Sequence, residues 1–131
     1  MLVICATCFL LLSCKDEFNI PESDSYIDGD APEVTEVISP IQDEVYTNTT
    51  SLPIIFTVKD NYFLGSIEVE VRDMSSNQSI FDDNISTKDS TFEYSSAVLL
   101  PENMPNNYEL YITVKDEVEN VNYKIVSFST Q

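Results

Sequence analysis

The sequence predicts an all-β protein of a single domain, two packed sheets built from about seven strands, and three observations lead there. Past Ala31-Pro32, apolar and polar residues alternate in short runs. Turn residues break those runs, and no amphipathic stretch is long enough for a helix. A hydrophobic content of 43% is enough to build a core within 131 residues, too few for two ordinary domains.

The strands follow in order. Glu33 to Ser39 is the first, closed by Ser39-Pro40, and Gln42-Asp43-Glu44 turns the chain into a short edge piece at Val45-Tyr46. Leu52 to Asp60 is the second, with Pro53 near its start and Ile54, Phe56 and Val58 on one face. Ile67, Val69 and Val71 alternate with Glu68, Glu70 and Arg72 in the third, which makes it half-buried with a charged outer face. Ser79-Ile80-Phe81 is a short fourth. Thr91 to Leu100 is the fifth, with Phe92, Tyr94, Val98 and Leu100 inward. Tyr108, Leu110, Ile112 and Val114 mark the sixth, and Tyr123 to Thr130 the last, with Val126 and Phe128 inward.

Seven strands over about 100 residues fit an immunoglobulin-like (Greek-key) β-sandwich. Tyr108 stands where that fold carries a tyrosine corner, two residues before the inward Leu110. With no tryptophan in the chain, apolar packing alone holds the two sheets. Thr57-Val58-Lys59-Asp60 recurs as Thr113-Val114-Lys115-Asp116, and the two copies end strands expected to run parallel on facing sheets. Ala31-Pro32 with Ser39-Pro40, the Val58-Lys59-Asp60-Asn61 strand end, and Asp116 to Asn120 in place of an Asp-x-x-Gly-Asn turn are the features by which the chain resembles bacterial Ig-like domains of Bacteroidota lipoproteins, including families of unknown function. Glu119 stands where that turn usually has glycine. The resemblance implies fold and setting, not an activity.

The N-terminus fits that setting. Leu2 to Leu12 is apolar, has the length of a signal-peptide core, and is well short of the roughly 20 residues that span a bilayer. No Lys or Arg precedes it, and a buried core strand is the alternative. Its end, Leu11-Leu12-Ser13-Cys14, resembles the lipobox of bacterial lipoproteins, which implies cleavage before Cys14 and acylation of that residue. Lys15-Asp16-Glu17 resembles the acidic export signal of Bacteroidota surface lipoproteins. The expected organisation is therefore a signal peptide over 1–13, a lipidated cysteine and acidic disordered tether over 14–31, and the sandwich over 32–131. The location expected is the outer membrane, facing either the surface or the periplasm. Acyl chains, at about 0.8 kcal/mol per buried methylene, supply the attachment.

Charge and composition exclude other classes. Twenty-three acidic residues against six basic ones give a net charge of −17, so nucleic acid is repelled and no basic cluster exists to bind it. Histidine is absent, which removes imidazole metal sites and the usual general base. Cys5 and Cys8 lie in the segment to be removed, leaving the mature chain no disulfide. Two carboxylates could in principle hydrolyse a glycoside, but nothing in the sequence marks the cleft this needs. No enzymatic activity is expected.

Candidate sites gather in loops. The fold brings Asp28, Asp30, Asp60, Asn61, Asp116 and Glu117, with Glu119 nearby, to one end of the sandwich. Calcium takes six to eight oxygens of this kind, as clustered loop acids of cadherin-like modules provide; the alternative is ordinary solvated acids. Tyr62 and Phe63 at the same apex could stack on a sugar or seat in a partner protein, unless they cap the core, with Phe63 and Leu64 as the inward pair. Asp89-Ser90-Thr91 matches the short O-glycosylation pattern of Bacteroidota, making Ser90 an acceptor candidate. The function expected is a non-catalytic binding, adhesion or accessory module that meets an envelope protein or a glycan. A carbohydrate-binding accessory protein and a structural spacer are the alternatives.

Overall fold

The computed structural model describes residues 28–101 and 104–131; Cys14, the signal and most of the tether fall outside them. The strands are β1 (Glu33–Ser39), β2 (Val45–Tyr46), β3 (Ser51–Lys59), β4 (Leu64–Asp73), β5 (Gln78–Ser86), β6 (Thr91–Leu99), β7 (Asn106–Asp116) and β8 (Val121–Thr130). They form a three-stranded sheet, β1-β3-β6, and a five-stranded sheet, β2-β8-β7-β4-β5. All pairings are antiparallel except β2 with β8, where Val45 and Tyr46 lie parallel to Ser129 and Thr130. This is the immunoglobulin-like Greek-key sandwich the strand pattern predicts.

Period-2 alternation decides what enters the core. Leu52, Ile54, Phe56 and Val58 of β3 and Tyr108, Leu110, Ile112 and Val114 of β7 are all buried, as are Ile67, Val69 and Val71 of β4. Phe56 stacks on Tyr94 of β6 at 4.8 Å, and Tyr108 on Phe128 of β8 at 5.3 Å. Outside, Arg72 pairs with Glu70 at 2.9 Å and lies 5.3 Å over the Tyr111 ring, so that surface aromatic packs across strands. Along the edge where the sheets come together, the Tyr94 hydroxyl donates to Asp83 of β5 at 2.9 Å. Burial and that bond push the phenol pKa up to about 12.

Two expectations are corrected here. The fourth strand is not a three-residue piece: β5 runs nine residues, because Ile67↔Ile85 and Glu68↔Asn84 continue its ladder with β4 through the polar Asp82-Asp83-Asn84 stretch. The tyrosine corner shows no bond, since the buried Tyr108 hydroxyl has no hydrogen-bond partner among the described residues; its ring stacks on Phe128.

One glycine is required by a close approach. Gly65 interrupts the β4–β7 ladder between Leu64↔Asp116 and Ser66↔Lys115, and a Cβ there would lie 2.6 Å from the Asp116 carbonyl oxygen. The end of β4 is thereby pressed against the end of β7.

Candidate cation site at one pole of the sandwich

The repeated Thr-Val-Lys-Asp segments explain the site. The inward series of β3 carries on one residue beyond the strand, past Val58 to Asp60, and in β7 it continues past Val114 to Asp116, so the two aspartates meet at the same end of facing sheets. Asp28, on the chain entering β1, completes the group. One carboxylate oxygen from each of Asp28, Asp60 and Asp116 lies within 4.8 Å of those from the other two.

Their hydrogen bonds differ. Asp116 organises the β7–β8 turn: Oδ1 accepts from the Val118 and Asn120 backbone N–H groups at 2.9 and 2.8 Å, and Oδ2 from the Asn120 amide at 2.6 Å. Asp28 Oδ1 accepts from the Asp30 N–H at 3.1 Å and from the Asn61 amide at 3.2 Å. Asp28 Oδ2 accepts nothing from the described residues, although the residue is only 3% exposed. Asp60 Oδ2 accepts from the Tyr62 N–H at 3.3 Å, while its buried Oδ1 has no hydrogen-bond partner among the described residues. Burial holds the Asp60 carboxyl above its usual pKa, and the charges of Asp28 and Asp116 add to the rise.

A buried carboxylate oxygen without a donor is costly, and three converging carboxylates compound the cost by repulsion. A hard cation relieves both. Oxygens bound at roughly 2.3–2.6 Å to one Ca²⁺ lie no more than about 5 Å apart, which the three aspartates satisfy. An all-oxygen donor set without histidine or thiolate suits calcium or magnesium rather than zinc or copper.

The remaining candidates take other places. Asn61 sits above the group as a bridge, its amide donating to Asp28 Oδ1 and to Asp30 Oδ2, both at 3.2 Å. Asp30 is exposed and outside the three-carboxylate cluster. Glu117 turns away to Lys88 at 3.2 Å, and Glu119 lies beside Lys115 at 3.9 Å. Residues 28–31, assigned to the tether, are bound to the domain: the Asn120 amide donates to the carbonyls of Asp28 and Asp30 at 3.1 and 3.3 Å. Asn120 and Asn122 carry no expectation of this role in the sequence. The only signal for Asn120 is its place at the end of the Asp116 turn.

Tyr62 and Phe63 are 42% and 41% exposed, and their rings meet each other at 4.6 Å. Phe63 therefore does not join Leu64 in the core. Its carbonyl accepts from the Glu117 N–H at 3.1 Å, Leu64 fills the inward position, and the Phe63 ring is left outside. Ser90 is exposed between β5 and β6, its carbonyl accepting from the Asp60 N–H at 2.9 Å.

Glu119 completes the turn at a cost, with φ of 71° where glycine would be unstrained. Glu119→Gly is expected to raise stability by about 0.5–1 kcal/mol, after the extra freedom of glycine in the unfolded chain is subtracted. The exposed contact with Lys115 contributes little against this. Thermal melting checks it, and an unchanged or lower midpoint would contradict the strain.

No family model matches the chain, and no curated protein matches it. Nine chains among the solved structures do. One is CopC from Methylosinus trichosporium OB3b, 11% identical, with 76% of this chain and 93% of that chain covered and a TM-score of 0.47.

Proposed function

We propose that the chain is a lipid-anchored, non-catalytic module of the bacterial cell envelope whose sandwich binds a divalent cation, calcium by its chemistry, at the pole where the tether arrives. The observation that carries the cation is the pair of buried, unpartnered oxygens on Asp28 and Asp60 beside Asp116. The anchor and the outer-membrane location rest on the Leu11-Leu12-Ser13-Cys14 pattern and on the acidic residues after it. The non-catalytic reading is supported by the absence of histidine from the sequence.

Calorimetry and thermal melting of the full chain in detergent, with Ca²⁺ and with Mg²⁺, test the site. Calcium at a hundred times its dissociation constant stabilises by about 2.7 kcal/mol, which raises the melting temperature of a domain this size by roughly 10 °C. Asp60→Asn is expected to remove most of that response. No heat and no shift at millimolar calcium would sink the proposal. For the anchor, mass spectrometry of the membrane fraction should find Cys14 as an acylated N-terminus.

A second reading, binding of a glycan, is favoured by the exposure of Tyr62 and Phe63 beside the pole. It requires Tyr62→Ala with Phe63→Ala to abolish retention on an immobilised glycan while leaving calcium binding intact.

A further inference from the structure

We infer that occupancy of this pole decides whether the segment ahead of β1 stays docked on the sandwich, so that the cation sets where the domain pivots on its tether. The inference rests on the cation site proposed above and concerns what the cation regulates.

The three carboxylates are held unequally. Asp116 is the last residue of the eleven-residue β7 and pairs with Leu64, and Asp60 directly follows the nine-residue β3, whose last pair is Lys59↔Thr91, with its own N–H donating to the Ser90 carbonyl at 2.9 Å, so moving either would disturb a strand end. Asp28 has no such restraint, because strand pairing among the described residues begins only at Glu33. Residues 28–32 are held instead by side-chain amides: Asn61 on the Asp28 and Asp30 carboxylates, Asn120 on the carbonyls of the same two residues, and Asn122 on the Pro32 carbonyl at 3.0 Å.

Those neutral donors hold a segment that carries a buried anion toward two others. Asp28 is 3% exposed, and its Oδ2 is left without a donor. Without a cation, repulsion from Asp60 and Asp116 opposes docking, and Asp28 is the member free to leave. With a divalent cation, the same three charges turn from repulsion to coordination, and docking is favoured. By linkage, whatever factor the cation adds to docking, docking adds to cation affinity. Undocking frees five residues, about 17 Å of extended chain, between the sandwich and the segment leading back to Cys14.

Hydrogen exchange of the full chain in detergent, read by mass spectrometry with Ca²⁺ or with EGTA, tests this at the amides of Gly29, Asp30 and Ala31, with β3 amides as the reference. Calcium is expected to slow exchange at those three amides by about tenfold, within the usual range of a coupling between sites. Asp28→Asn keeps the size and the acceptor for Asn61 but removes the charge. In EGTA its segment should exchange as slowly as the calcium-loaded wild type, with β3 unchanged. A calcium-induced melting shift with no change in exchange at 29–31 would overturn the docking inference and leave the cation site standing. Exchange in Asp28→Asn as fast as in wild type under EGTA would also overturn it, since repulsion would not be what releases the segment. Absence of both heat and melting shift would overturn the inference and the site together.

Discussion

Phe56→Ala is expected to lower the stability of the domain by about 3–5 kcal/mol, the usual cost of emptying a large aromatic site in a core. Phe56 is 1% exposed at the middle of β3, the central strand of the smaller sheet, with Ile54 and Val58 buried on either side of it. Its ring stacks on Tyr94, whose hydroxyl reaches Asp83 on the other sheet, so the cavity would open beside one of the links between the sheets. A domain of this size has roughly 5–15 kcal/mol in total, and such a variant would be close to unfolding at ordinary temperature. Urea denaturation should show a much lower midpoint with an unchanged slope. Leu99→Ala, at a position 77% exposed, is the control and should stay within about 0.5 kcal/mol of wild type. Similar losses at both positions would mean that Phe56 is not part of a packed core.

Gly65→Ala should cost about 1–3 kcal/mol, and it should also weaken the cation response. The added methyl would lie 2.6 Å from the Asp116 carbonyl oxygen and 3.0 Å from its carbon. Both are backbone atoms, so no flexible side chain can give way. Either β4 lifts off β7 or the end of β7 moves, and Asp116 moves with it. Thermal melting with and without calcium separates the effects: the midpoint falls in both conditions, and the calcium-induced rise shrinks. A variant that melts lower yet keeps the full rise would show that Asp116 holds its place independently of the Gly65 contact.

Much of this was legible in the residues, for identifiable reasons. Strict alternation in Ile67–Val71 and Tyr108–Val114 reports a strand with one buried face, and those side chains are indeed buried. The two Thr-Val-Lys-Asp copies, read with the same period, place Asp60 and Asp116 opposite one another. Other features depend on the third dimension. Gln78–Ser86 carries too many exposed polar residues to read as a strand, because it lies at a sheet edge and buries little. Phe63 looks like core by type, yet Leu64 takes the inward position and leaves it outside. The asparagines that hold residues 28–32 act across as many as 92 positions of sequence, a relation no local pattern carries.

Composition changes at Ala31-Pro32, and that is where one would naturally trim the chain to obtain the domain by itself. The binding of Asp28 makes this the wrong place to cut. A fragment beginning at Pro32 would retain every strand pair, yet it would lack one of the three carboxylates and both carbonyls that the Asn120 amide reaches upstream. If the pole binds a cation as proposed, such a fragment would give a negative result in a metal assay, and that negative result would come from the scissors rather than from the protein.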